Sequence, residues 1–78
     1  MKKSNELIIR DSFLFYRKIK ELIATLPDDE RVDVYDAVVD YSLDFTDPNL
    51  TGDAKEIWKQ IKPILDRDIN KWQKRHLF

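Results

Sequence analysis

The residues best placed to do chemistry are five aspartates repeated at helical spacing. Paired carboxylates bind divalent cations or act as acid and base. At 100° per residue they fall within an arc of about 80° on one helical face, and they are Asp29, Asp33, Asp36, Asp40 and Asp44. A metal site needs ligands that converge from different elements, whereas a straight stripe diverges. We therefore interpret the stripe as a solvated face that pairs with basic helices.

A cationic group near the end of the chain is the second candidate. Basic residues interleaved with an aromatic side chain bind phosphates and stack bases, and Trp72 lies among these cations. Cations at a helix C-terminus also complement its dipole, which is the simpler explanation. The isoelectric point near 5.7 argues against a dedicated nucleic-acid binder. The candidate nucleic-acid contacts are Arg67, Lys71, Lys74 and Arg75.

Residues for catalysis are sparse. His76 is the only histidine and cysteine is absent. Without a histidine partner, Ser4, Ser12 and Ser42 offer no activated nucleophile. Gly52 is the only glycine, so no glycine-rich phosphate loop is present. We expect no enzyme activity, no catalytic or metal-binding residues, no cofactor and no small-molecule substrate.

Charge is divided into three blocks along the chain. Residues 1–25 carry 6 Lys and Arg against 3 acids, residues 26–53 carry 1 against 9, and residues 54–78 carry 7 against 3. The near-zero net charge of -1 therefore hides an acidic centre between two basic ends. No stretch approaches the ~20 apolar residues of a membrane span. Together with the lack of cysteine, this predicts a cytoplasmic protein that does not bind membranes.

The spacing of apolar residues predicts a single domain of three helices over residues 11–78, after a lead-in over residues 1–10. Asp11 or Ser12 can cap the first helix, and Pro27 ends it. The core positions expected on this first helix are Phe15, Tyr16, Ile19, Leu22, Ile23 and Leu26.

A second helix is predicted from an N-cap at Asp28 to Leu43 or Asp44. Its core face is expected opposite the aspartates, at Val32, Tyr35, Val38, Val39 and Ser42, widened by Val34 and Tyr41.

A third helix is predicted from a cap at Thr51, with the apolar pattern continuing in phase beyond Pro63. Pro63 lies off the apolar face, so we expect a kink rather than an end. The fold class predicted is all-α, a three-helix bundle with a long, proline-kinked third helix.

The third helix should outreach the other two and leave an apolar end to be covered. The candidate interface residues are Ile64, Leu65, Ile69 and Trp72. Residues 7–9 could fold back over this end, a second chain could cover it as a two-fold dimer, or it could meet the missing C-terminal part of a longer protein. Asp68 lies inside the same apolar arc, so we expect it at an edge and paired with a Lys or Arg.

Several short segments, in order and spacing, resemble a small helical domain family of unknown function found in bacterial and bacteriophage proteins. They are Asp11-Ser12-Phe13, Phe15-Tyr16-Arg17, Leu26-Pro27-Asp28-Asp29-Glu30, Tyr35-Asp36-Ala37, Tyr41, Leu50-Thr51-Gly52 with Ala54, Ile61-Lys62-Pro63 and Leu65-Asp66. The chain departs from that family at Lys18 and after Asp66. In that family the domain stands alone or precedes segments that look like replication factors.

The resemblance implies a bacterial or mobile-element setting and supplies no catalytic residue. With the apolar surplus of the third helix, it favours a noncatalytic interaction or docking module that forms a homodimer or joins a larger protein. The alternative is an accessory nucleic-acid-binding domain linked to phage or plasmid replication.

Overall fold

The computed structural model describes residues 10–77 of the chain, with side chains up to residue 75, and this part contains three helices and no strand. The helices are α1 (Arg17–Ile23), α2 (Asp28–Asp44) and α3 (Gly52–Leu77). Each helix contacts the other two, and the described part measures 46 × 19 × 15 Å. The all-α class and the three helices were predicted correctly.

The start of α1 was predicted wrongly. Tyr16 is extended, with φ -88° and ψ 148°, so the first helical residue is Arg17 rather than the residue after Asp11 or Ser12. The carbonyl of Ser12, which a longer helix would give to the Tyr16 amide, instead accepts a 3.0 Å hydrogen bond from Nε of Arg10. A side-chain contact between residues two positions apart therefore replaces the first turn that the local pattern predicted.

The bounds of α2 match the prediction, and its inner face matches in part, since Val34, Val38 and Ser42 are buried as predicted. Three of the predicted core residues, Val32, Tyr35 and Val39, are exposed. The face that packs is turned by roughly 90° about the helix axis, and its buried residues are Val34, Ala37, Val38 and Ser42. Apolar side chains cover more than half of the helical wheel of α2, so their spacing alone does not determine which part faces inward.

The third helix continues through Pro63 to Leu77, as the apolar pattern predicted. Gly52 begins it at a φ of 61°, a left-handed conformation that glycine adopts without a Cβ clash. One core joins the three helices, and its buried residues are Ile19, Ile23, Leu26, Val34, Ala37, Val38, Ala54, Trp58, Ile61 and Leu65. None of the helices in the described range is long and apolar enough to cross a membrane.

Candidate interaction surfaces

An apolar strip runs along the outward side of α2. Val32, Tyr35 and Val39 are 59%, 40% and 43% exposed. They stand at positions i, i+3 and i+7 and so form one row on the helix. The ring of Phe15 stacks on Tyr35, with centroids 6.0 Å apart, and extends the row by one exposed aromatic. We call these four residues the α2 stripe.

The five aspartates that the sequence places on one face of α2 are all exposed. Asp33, Asp36 and Asp40 also line a shallow surface depression with residues 48–50. Within residues 10–75, no three acidic or histidine side chains come together in a way that could hold a metal ion.

The interface residues predicted on α3 lie largely inside the single chain. Leu65 is 1% exposed and Ile69 is 7% exposed, while Ile64 packs against the core from its edge. Trp72 is half-buried, and the ring of Phe45 lies 6.0 Å from it. The apolar end of α3 is thus substantially covered by its own chain, and more apolar surface is open on α2.

Arg10 covers this end of α3 and was not singled out by the sequence. Its Nη2 lies 2.5 Å from Oδ2 of Asp68, and both side chains are nearly buried. Nη1 donates a 3.1 Å hydrogen bond to the carbonyl of Ser42, and the guanidinium lies 5.9 Å from the centre of the Trp72 ring. The prediction that Asp68 pairs with a Lys or Arg is therefore confirmed. Its position in the apolar arc signalled the need for a cation, but not which one. Residues 7–9, the cover considered from the sequence, lie outside the described residues.

Beside this ion pair, a cationic cleft separates the start of α1 from α3. Its volume is about 310 Å³, and it is lined by Tyr16, Lys18, Ile64, Arg67, Asp68 and Lys71. A second opening of about 640 Å³ shares Tyr16, Asp68 and Lys71 and reaches Arg75. Three of the four predicted nucleic-acid contacts, Arg67, Lys71 and Arg75, therefore border these two adjoining openings, and Lys74 lines neither. Lys18 and Tyr16, from the opposite wall, were missed because helical spacing on α3 carries no information about α1.

A polar junction ties α2 to the middle of α3. The hydroxyl of Tyr41 donates a hydrogen bond to the carboxylate of Asp66, and its ring meets Trp58 edge-on at 5.4 Å. Burial and then the Asp66 hydrogen bond raise the pKa of Tyr41 above its ordinary 10.0. Hydrogen bonding to Tyr41, then the charge of Asp66, raise the pKa of Lys62 above its ordinary 10.5. These contacts fix the middle of α3 against α2.

A family model matches residues 12–76 of this chain. The chain belongs to DUF6291, a family of unknown function. The resemblance to a family without an assigned activity is thereby confirmed. No curated protein and no solved structure matches this DUF6291 chain significantly.

Proposed function

We propose that this DUF6291 domain is a noncatalytic interaction module that pairs with a second copy of itself through the α2 stripe. The supporting observation is the row of exposed Val32, Tyr35 and Val39, continued by Phe15. Apolar side chains in a contiguous exposed row favour association because pairing removes them from water. A domain of 78 residues has a small core, so association would also add stability.

Opposite charges on the two edges of the α2 stripe favour a second copy as the partner. Asp36 and Asp40 border one edge. Beyond Phe15, on the other edge, α1 begins with the exposed cation Arg17. A two-fold axis parallel to α2 would set the acidic edge of each copy against the basic edge of the other, whereas an antiparallel pairing would bring the acidic edges together. We therefore propose a parallel arrangement of the two α2 helices.

Sedimentation velocity tests this pairing over concentrations from about 1 μM to 1 mM. We expect the wild type to approach twice its 9.4 kDa mass as concentration rises. Val39→Glu should remain a monomer, because it places a charge in the centre of the stripe. Gln60→Glu, which adds the same charge at an exposed site on α3, is the control, with circular dichroism confirming that both variants fold. A wild type that stays monomeric, or a Val39→Glu variant that dimerises as well as the control, would refute the proposal.

Trp72→Asp separates the α2 stripe from the surface that the sequence predicted on α3. If folded Trp72→Asp is monomeric while Val39→Glu still dimerises, the interface lies at the end of α3. If neither the wild type nor either variant dimerises, docking to a larger protein becomes the better explanation.

A finer architecture is also proposed: an antiparallel three-helix bundle in which α3 bends at Pro63. The proline lacks an amide proton and its ring crowds the preceding turn, which supports a bend although the helix is continuous. Residual dipolar couplings measured on either side of Pro63 would give the angle between the two segments. Collinear segments would contradict the bend.

The setting we propose is the cytoplasm of a bacterium or of a phage-infected cell, and cell fractionation would test it. The lack of cysteine is compatible with a reducing compartment. The alternative function, an accessory nucleic-acid-binding domain in phage or plasmid replication, depends on a different face, where Arg67 and Lys71 border the cationic cleft.

A further inference from the structure

The cleft between α1 and α3 combines cations with an aromatic ring. Lys18 stands on one wall, and Arg67 and Lys71 stand on the other. Arg75 continues the α3 row by one more turn, in the adjoining depression. Because Arg67, Lys71 and Arg75 follow each other at four-residue intervals, their charges recur about every 6 Å along the helix.

The one carboxylate in the cleft is already neutralised. Asp68 accepts hydrogen bonds from Nη2 of Arg10, at 2.5 Å, and from the hydroxyl of Tyr16, at 3.4 Å. The buried guanidinium therefore cancels the charge that would otherwise repel an anion. The exposed cations leave the cleft with a net positive charge, while the aspartates of α2 lie outside it.

An unpaired nucleic-acid strand fits these features better than the other polyanions do. Its phosphates recur along a flexible line and match a row of cations, and an unpaired base has a face that stacks on an aromatic ring. Tyr16 is exposed at the cleft and supplies that ring. An acidic peptide would use the cations but has no general need for the ring, and the bases of a duplex are already stacked.

We propose that this cleft binds single-stranded nucleic acid, with Lys18, Arg67, Lys71 and Arg75 on the phosphates and Tyr16 against a base. The site does not depend on pairing through the α2 stripe, since it lies on a different face.

Fluorescence anisotropy with a labelled oligothymidylate of about 12 nucleotides tests the site. Each phosphate contact to a single strand contributes about -0.7 to the slope of log affinity against log salt concentration, so four contacts predict a slope of about -3. Lys71→Gln should weaken binding and make the slope shallower by about 0.7. Lys55→Gln, which removes an exposed cation of α3 outside the cleft, should leave both quantities unchanged.

Substitution of the ring distinguishes stacking from charge alone. Tyr16→Leu should lower the affinity about tenfold without changing the slope, and Tyr16→Phe should restore it because the ring remains. Circular dichroism confirms that each variant is folded. The monomeric Val39→Glu variant should bind as the wild type does, so the two proposals can fail separately.

Three results would overturn the inference. The first is no binding at about 0.05 M salt, where phosphate contacts are strongest. The second is equal affinity for a duplex of the same length with no effect of Tyr16→Leu. The third is displacement of the oligonucleotide by an equal charge concentration of polyglutamate, which would assign the cleft to acidic polypeptides instead.

Discussion

The two halves of α3 are held in place by different means. From Ala54 to Leu65, the helix packs by burying aliphatic and aromatic side chains against α1 and α2. From Asp68 to Trp72, it is held by the guanidinium of Arg10, from the segment before α1, and by the ring of Phe45, at the end of α2. The packing of the first half follows from the helical spacing of its apolar residues. The second depends on one pairing between residues 58 positions apart in the chain.

This difference has a consequence for stability as well. Apolar packing is distributed over many small contacts, so one substitution removes a part of it. A nearly buried ion pair is concentrated, because loss of one partner leaves the other charge without compensation. The far half of α3 should therefore fail abruptly when Arg10 is changed, while the near half weakens gradually.

The largest expected effect is that of Arg10→Met. It leaves the Asp68 carboxylate nearly buried and uncompensated, which costs about 3–5 kcal/mol. Urea unfolding would measure this loss, and amide hydrogen exchange should show residues 68–75 opening before residues 54–65. Arg75→Met, at an exposed site, is the control.

The double variant Arg10→Met/Asp68→Leu sharpens the same test. It removes both charges and should recover most of the stability lost in Arg10→Met. If the single and double variants are equally unstable, the contribution of Arg10 is packing rather than charge compensation.

Tyr41→Phe tests the polar junction between α2 and the middle of α3. It should lower the free energy of unfolding by about 1.5 kcal/mol near neutral pH, the low end for a hydrogen bond to a charged group. The raised pKa values of Tyr41 and Lys62 give a stability contribution that is fully present below pH 10.0 and lost as pH rises through them. Between about pH 8 and about pH 11, the free energy of unfolding should therefore fall less in Tyr41→Phe than in the wild type. Tyr35→Phe removes an exposed phenol and is the control. If Tyr41→Phe loses as much stability at alkaline pH as the wild type does, this loss does not come from the junction.

Ile61→Val tests the near half of α3. Ile61 is fully buried, and removal of one methylene group should cost about 1 kcal/mol. Urea denaturation should show one cooperative transition, without the selective opening expected for Arg10→Met. Selective opening of residues 68–75 in this variant would remove the distinction between the halves.

The smallest effect is expected for Ser42→Ala. Among the described residues, Oγ of Ser42 is buried and has no hydrogen-bond partner, while the carbonyl of the same residue accepts Arg10. Deleting this hydroxyl should change stability by less than about 0.5 kcal/mol or increase it. A loss above about 1 kcal/mol, seen by thermal unfolding, would show that the hydroxyl has a partner such as an ordered water.

The sequence predicted those parts of the fold that depend on neighbours a few residues apart. The length of α2, the continuation of α3 beyond Pro63 and the pairing of Asp68 with some cation all followed from spacing. The start of α1 did not, because the side chain of Arg10, which pairs with Asp68 of α3, also takes the Ser12 carbonyl. The inner face of α2 followed only in part, since Val32, Tyr35 and Val39, which are exposed, continue the apolar pattern around the helix.

The candidate site divides in the same way. The α3 row of cations was visible from its spacing, but the facing residues Tyr16 and Lys18 were not, because only the fold places α1 across from α3. Likewise, the apolar surplus predicted for α3 is mostly covered by the chain itself, and the α2 stripe took its place as the open surface.

The closely spaced carboxylates of α2 make the thermal stability of this domain depend on salt concentration. Asp29 and Asp33, then Asp36, Asp40 and Asp44, face each other one turn apart, and no cation lies in the last turn of the helix. Like charges at this spacing repel, and mobile counterions weaken that repulsion. The domain should therefore melt at a higher temperature in a concentrated chloride solution than in a dilute one, as expected of proteins that are stable at high salt concentration.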